Sequence, residues 1–393
     1  MTRIYLIRHA EAEGNLYRRV HGWYDSLVTD NGYRQISALR GRFDNIPIDA
    51  VYASDLFRTR TTARAIYVSH GLELRTRPDL REIGVGVWED TPWGELSHRE
   101  GEMLYEFNHS SPKFQVEGGE SFAQVQKRML EAVRDIAQCH PDQTVAVFSH
   151  GTAIRCLQAA IRGLGPGEMD GLGHSDNTGV TCLTVDKYGI CRLVFENDNS
   201  HLPEEISTLA RQKWWKSRES SLADANLWFS PLDMEGEGGA RYRAARADAW
   251  RDIHGPEAPC DSEGFQQDAL RCWRQDPHKA VVAAMMGDAF CGVLQLDLER
   301  WASEGIGYIP FVYMAPEYRK KGLGVQLIGQ AVSAYRPLGR TRLRLRCAPE
   351  NGVAQRFYKK YGFVKVGETQ GAGGVPLDLL EKDIGFEETD GAR

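Results

Sequence analysis

The feature that most constrains this chain is a change of rhythm partway along it. Up to about residue 200, short apolar runs at 4–7, 50–53, 144–148 and 180–186 alternate with helix-period stretches at 29–43, 55–69, 121–139 and 152–162. Such alternation predicts a largely parallel sheet covered by helices on both faces. Between residues 201 and 221 the period is lost, in a stretch holding Pro203, a run of charges and the pair Trp214-Trp215, which reads as aromatics packed on one domain. Beyond it the order differs. A strand at 226–232 precedes helices at 241–253 and 265–273, then strands at 281–286, 290–298 and 307–314. A helix at 323–335, a strand at 342–347, a helix at 353–361 and strands at 363–366 and 377–381 complete it. Mostly antiparallel strands with a late crossover helix give an α+β second half.

A length of 393 residues suits two or three domains at roughly 100 to 200 residues each. The break divides the chain into domains at 1–205 and 222–393 joined by a linker at 206–221. Gly-rich stretches at 235–239 and 371–374 read as loops. With 42% hydrophobic and 26% charged residues, the chain has the means to build cores rather than long disorder. Its 48 basic against 54 acidic side chains give a net charge of −6, which argues against a general nucleic-acid or membrane-surface binder and makes any basic site local. The apolar run Ile4-Tyr5-Leu6-Ile7 is too short for a signal peptide or a membrane span, so a cytoplasmic location is expected. The eight cysteines form no Cys-x-x-Cys pair and no Cys/His metal spacing, which predicts reduced thiols and no metal.

Arg8 and His9 directly follow the run 4–7, at the carboxyl end of a strand, where open α/β sheets hold their ligands. Ser149-His150-Gly151 follows a second strand in the same way and opens a helix whose first-turn N–H groups are expected to meet an anion. If the two strands are neighbours, two imidazoles and a guanidinium converge on a phosphate site. Arg58, at the start of the helix after 50–53, can add a bidentate fork, and Glu82 can supply a proton to a leaving oxygen.

These strings, with Asn15, Arg19, Gly22-Trp23-Tyr24-Asp25-Ser26, Thr29, Gly32, Gln35 and Gly118-Gly119-Glu120-Ser121 in the same order, resemble the histidine phosphatase superfamily, which includes the cofactor-dependent phosphoglycerate mutases. The resemblance covers about residues 1–200 and implies a phosphoglycerate mutase-like three-layer α/β sandwich. It implies His9 as the nucleophile that takes the phosphoryl group, with Arg8, Arg58 and His150 stabilising its oxygens and Glu82 as acid and then base. Asn15, Arg19, His21 and Gly22 are the expected phosphate and substrate contacts. Ala10 stands where the family usually has Gly, and His21 where many members have Gln, which predicts different contacts on the substrate side. Mutases carry a long insertion after the acid. Here Gly86-Val87-Trp88-Glu89 and Trp93-Gly94-Glu95-Leu96 follow closely, which resembles the compact phosphatases and favours hydrolysis over mutase-type transfer.

In the second half, Tyr318-Arg319-Lys320-Lys321-Gly322-Leu323-Gly324 lies between a strand ending at Met314 and a helix, a place where glycines let the backbone approach a pyrophosphate. With residues 307–318 before it and Asn351 to Phe363 after it, the loop resembles the GNAT acetyltransferase superfamily over about residues 222–385. That resemblance implies an acetyl-CoA site made of Met314, Arg319, Lys320, Lys321, Gly322, Leu323 and Gly324, with Asn351 on the pantetheine arm and Tyr358 protonating the thiolate. Glu304 reads as a solvated carboxylate or as a base acting through water. Arg342, Arg344 and Arg346 alternate along one strand, as a solvent face or as a site for an anionic acceptor.

The expectation is therefore a bifunctional enzyme: a phosphomonoesterase acting on a small phosphorylated metabolite, fused to an N-acetyltransferase using acetyl-CoA and an unspecified amine, without nucleic acid, membrane or metal and with oligomerisation left open. The alternatives are mutase-type transfer in the first half, or one domain serving as a regulatory module such as an acetyl-CoA sensor.

Overall fold

The computed structural model describes residues 1–212, 225–371 and 374–386. Trp214 and Trp215 lie outside the described residues, as do the centre of the 371–374 loop and most of the expected linker. The chain divides into two compact units, Met1–Thr91 with Leu96–Asp224 and Pro92–Glu95 with Ala225–Arg393.

The first unit is built on a six-stranded sheet of β1 (Thr2–Arg8), β2 (Ala50–Ala53), β3 (Leu74–Thr76), β4 (Thr144–Ser149), β5 (Val180–Val185) and β6 (Cys191–Asp198), in the spatial order β3-β2-β4-β1-β5-β6. The four strands from β3 to β1 are parallel, and β5 and β6 add an antiparallel edge. Central strands with both faces covered need apolar residues at consecutive positions. In β4 Val145, Ala146, Val147 and Phe148 are all fully buried, and Ile4, Leu6 and Ile7 of β1 likewise. The helix Asp30–Phe43 is capped by Thr29, whose hydroxyl accepts from Gly32 N at 3.0 Å. The helix Phe122–Cys139 opens on a Ser121/Gln124 capping box and buries Phe122, Val125, Met129, Ala132, Val133 and Ile136 at helical spacing. Leu39, Phe43, Ala63 and Ile66 from two helices close a core over Ile7, Val51, Ala146 and Phe148.

The expected linker starts too early. Ile206 O accepts from Gln35 Nε2 at 2.7 Å, Ser207 Oγ donates to Asp176 Oδ2, and Thr208 Oγ1 donates to Glu11 Oε2 at 3.1 Å, so residues 206–211 belong to the first unit as a capped turn of helix. Their hydroxyls serve buried Glu11 and Asp176 rather than solvent.

The second unit is a seven-stranded sheet of β7 (Trp228–Pro231), β8 (Val281–Met286), β9 (Ala289–Asp297), β10 (Ile306–Met314), β11 (Arg342–Cys347), β12 (Val364–Gln370) and β13 (Pro376–Asp383), in the spatial order β12-β13-β11-β10-β9-β8-β7. Only β10 and β11 run parallel, joined through the helix Val325–Tyr335. The helices Glu237–His254 and Ser262–Trp273 cover one face through Tyr242, Ala245 and Ala269, packed on Val281, Val293, Phe311 and Tyr313. No helix of the described residues is long and apolar enough to cross a membrane.

Gly32 lets its helix come within touching distance of the segment after β1, since a Cβ there would lie 2.2 Å from Glu11 O. A backbone oxygen cannot move aside without shifting the strand. Gly32→Ala is expected to destabilise the first unit by about 1–3 kcal/mol; unchanged denaturant unfolding would contradict this packing.

Candidate functional site

The β1–β4 pairing runs in register to the last residue of each strand, Arg8 opposite Ser149, and Ala53 of β2 lies opposite Phe148. The residues that follow, His9, His150 and Ser54, therefore leave the sheet side by side at its carboxyl edge. His9 N donates to Ser149 O at 3.0 Å and Ser54 N to Phe148 O at 3.0 Å, which carries the sheet geometry one residue further. The His9 and His150 rings stand 5.2 Å apart.

His9 is buried, and its Nδ1 lies 2.7 Å from Ala10 O. A carbonyl only accepts, so Nδ1 carries the proton and Nε2 keeps its lone pair. Burial, reinforced by the Arg58 and Arg8 guanidinia, holds the His9 imidazole well below its ordinary 6.5 and so keeps it neutral. His150 is lowered well below that value too, by burial and by Arg58. Ser54 Oγ lies 2.9 Å from His150 Nε2 and itself accepts from Leu56 N.

Arg58 is fully buried, and its fork donates to Tyr24 O at 2.9 Å, Gly22 O at 2.7 Å and His21 O at 3.0 Å, with Asp25 at 3.7 Å. Arg8 donates to Ser175 O. Three buried nitrogens around His9 have no partner among the described residues: Arg8 Nε, Arg58 Nε and His150 Nδ1. The two guanidinium nitrogens are hydrogen-bond donors, and the imidazole nitrogen is one in the Nδ1–H tautomer. Donors buried without acceptors are costly, and together these would suit an anion.

Glu82 sits where the sequence places it but does something further. Its carboxylate accepts from Thr152 N at 3.0 Å and Ala153 N at 2.9 Å, and also from Ile83 N at 3.0 Å. The first turn of the helix Gly151–Ile161, expected to meet a phosphate directly, thus holds the protein's own carboxylate, because His150 at the N-cap offers no side-chain cap. Arg128, which the sequence reading did not single out, fixes that segment: it donates to Asp79 O, Arg81 O and Glu82 O at 2.8–3.0 Å and pairs with Glu120 at 2.7 Å. Asn177, also not foreseen, donates to His9 O at 2.9 Å.

The remaining expected contacts divide. His21 stacks edge-on to His9 at 5.6 Å, its Nδ1 is 3.3 Å from Ser26 Oγ, and burial followed by Arg58 and Arg8 lowers it well below 6.5. Gly14 makes room for it, since a Cβ there would fall 2.3 Å from the imidazole. Gly22 lies beside Ile83 O, and its carbonyl is one of the Arg58 acceptors. Arg19 is tied through Nε to Asp90 at 2.6 Å, and Asn15 Oδ1 accepts from Ala12 N at 3.1 Å.

In the second unit the loop after β10 carries Lys320 and Gly322 at positive φ, 59° and 77°, and no acceptor among the described residues takes the N–H groups of Lys320 through Gly324. Leu323 is buried, and a Cβ on Gly324 would lie 3.2 Å from the Phe357 ring and 3.8 Å from Met314. Those free N–H groups and the glycine approach fit a pyrophosphate. Arg319 turns elsewhere, donating to Met314 O at 2.7 Å and pairing with Asp248 and Asp252. Asn351 caps the helix Gly352–Lys360 through Ala354 N at 3.1 Å. Tyr358 is buried, and burial raises its phenol so that it keeps its proton. Glu304 pairs with Arg344 at 3.6 Å.

Two family models match the chain: the histidine phosphatase superfamily (branch 1) over residues 4–199, and the acetyltransferase (GNAT) family over residues 247–363. The "Probable phosphoglycerate mutase GpmB" of Yersinia pestis (strain Pestoides F) is 33% identical over 164 residues, which cover 42% of this chain and 76% of that protein. Among solved structures, Bacillus stearothermophilus YhfR is 31% identical, covering 51% of this chain and 99% of its own at a TM-score of 0.49. A mycobacterial glucosyl-3-phosphoglycerate phosphatase is 24% identical, covering 50% and 99% at 0.47.

Cations beside a buried imidazole disfavour its protonated form, so in an NMR pH titration His9 is expected to stay neutral at pH 6. Arg58→Met removes one of those cations and is expected to move the His9 titration upward. An imidazolium already formed above pH 6.5 would contradict the electrostatics of the site.

Proposed function

From a chain that belongs to the histidine phosphatase superfamily and carries a GNAT family acetyltransferase domain, we propose two reactions: hydrolysis of a phosphomonoester through a phosphohistidine on His9, and acetyl transfer from acetyl-CoA to an amine. Both domains belong to enzyme families, and the GNAT fold implies an acyl-CoA cosubstrate.

The observation that carries the first reading is the free Nε2 of His9 among three buried nitrogens without partners, two of them guanidinium donors. Nε2 attacks phosphorus, the bond to the leaving oxygen breaks, and Glu82 gives that oxygen its proton. Water then attacks the phosphohistidine, Glu82 takes the water proton, and the N–P bond breaks to release inorganic phosphate. Arg8, Arg58 and His150 hold the equatorial oxygens throughout. The short path after Glu82 supports hydrolysis over mutase transfer: Glu89 turns straight back to accept from Trp23 N at 2.7 Å and Tyr24 N at 2.8 Å, rather than opening into a long wrapping segment.

For the second reaction, bound acetyl-CoA would supply a thioester whose carbonyl carbon forms the new N–C bond as its C–S bond breaks. The backbone of Lys320–Gly324 would hold the pyrophosphate. Tyr358 would give its proton to the departing sulfur.

Release of inorganic phosphate from an aryl phosphate is expected to vanish in His9→Ala. In Glu82→Gln it is expected to fall by about 10²–10⁴ for poor leaving groups, and less for aryl leaving groups that need no proton. Full activity in His9→Ala would overturn the mechanism, and phosphoglycerate interconversion faster than hydrolysis would overturn the choice of reaction. Millimolar acetyl-CoA is expected to raise the melting temperature by mass action, and no shift would contradict the acetyltransferase reading.

A further inference from the structure

β10 and β11 pair in parallel only from Ile306 opposite Arg342 to Ile309 opposite Leu345, yet β10 continues to Met314 and β11 to Cys347. The strands fork there. Pro310 and Arg346 are the first residues past the fork, one on each strand, and the β9–β10 ladder is irregular at the same point, between Tyr308 and Phe311.

Two arginines meet this fork. Arg246, from the helix Glu237–His254, brings Nη2 to 3.5 Å from Pro310 O and 3.4 Å from Gln295 Oε1, while its Nε donates to the Tyr242 hydroxyl at 2.9 Å. Its guanidinium lies 3.8 Å from the Phe311 ring centre, 4.5 Å from Phe265 and 5.8 Å from Tyr242. On the other strand, Arg346 Nε donates to the Tyr308 hydroxyl at 2.6 Å. The surroundings are fixed from below: Gln295 is fully buried, accepts from Tyr242 at 2.6 Å and donates to Asp268 at 3.1 Å.

Several nearby arginines are matched by carboxylates, whereas Arg300, 4.9 Å from the Tyr308 ring, rests on aromatic faces as Arg346 does. Arg342 and Arg344 share Glu381, Arg319 has Asp248 and Asp252, and Arg271 has Asp268 and Asp297. Arg246 and Arg346 have no ion pair among the described residues, and Arg246 Nη1 and both Nη atoms of Arg346 make no hydrogen bond there. Aromatic faces attract a guanidinium but leave its charge uncompensated and part of its donor fork open. That fork matches a carboxylate or phosphate group. The cations also act on an incoming amine, disfavouring its ammonium form and so favouring the neutral nucleophile, while repelling any acceptor that bears further positive charge.

We propose that the fork mouth is the acceptor subsite of the second domain and that Arg246 and Arg346 select an amine that also carries an anionic group. The proposal rests on the acetyltransferase reading above, and the test separates the two. With the full chain, acetyl-CoA binding is measured first by thermal shift. CoA release is then followed with glutamate, O-phosphoserine, ethanolamine and spermidine, and acceptor binding by calorimetry in the presence of CoA. Glutamate or O-phosphoserine is expected to be preferred, and their comparison distinguishes carboxylate from phosphate. Arg246→Gln and Arg346→Gln are each expected to raise the KM and Kd for that acceptor at least tenfold with the acetyl-CoA shift intact, and Arg246→Lys to recover part of the loss. An unchanged acetyl-CoA shift also certifies that each variant is folded. Preference for spermidine or ethanolamine, turnover of neither anionic amine, or an unchanged acceptor Kd in both glutamine variants overturns the subsite. Absence of any acetyl-CoA shift in the wild type overturns the acetyltransferase reading itself.

Discussion

Everything in the first domain depends on the parallel ladder between β1 and β4, in register to Arg8 and Ser149. A slip by one residue would point Arg8 and His9 to opposite faces from those they now occupy and separate His9 from His150. The interior positions of both strands are apolar and covered by helices, so the register is fixed by burial, and the polar residues cluster only where the strands end. Desolvation then does chemical work. Two arginines and three imidazoles are packed where charge is expensive, so the imidazoles stay neutral, Arg58 depends on carbonyls of the turn at 21–24, Arg8 on Ser175 O, and both on whatever anion enters.

The second domain uses its sheet differently. There the opening is made by two neighbouring parallel strands that stop pairing, and the donors are backbone N–H groups of a glycine loop together with arginines that lack a carboxylate.

Much of this was legible in the sequence because burial imposes simple patterns. The strands at 281–286 and 342–347 and the helices around 29–43 and 121–139 were readable from apolar periodicity, and His9, His150 and Arg58 from their positions after strands. Elements whose stability comes from neighbours were not. β3 is three residues long with two of them exposed, β6 is an edge strand with Arg192 and Val194 turned outward, and the short helices Trp93–Arg99 and Gly101–Asn108 have too few turns for a period to show. Partner choice was equally hidden. Arg19 could have met a phosphate but bonds Asp90, the helix turn expected to hold an anion holds Glu82, and Arg128 braces Glu82 from the helix Phe122–Cys139. Each of these pairs residues at least 46 positions apart, and no local pattern encodes such contacts.

The central claim is that His9 Nε2 forms a covalent bond to phosphorus. Mixing the full chain with an aryl phosphate, quenching within the first turnover under alkaline conditions and mapping the modified peptide tests it most directly. The account predicts an acid-labile, base-stable phosphoryl group on His9, absent after Glu82-dependent hydrolysis is complete. A phosphoryl group on another residue, or steady turnover with none trapped and inversion of configuration at phosphorus, would contradict it.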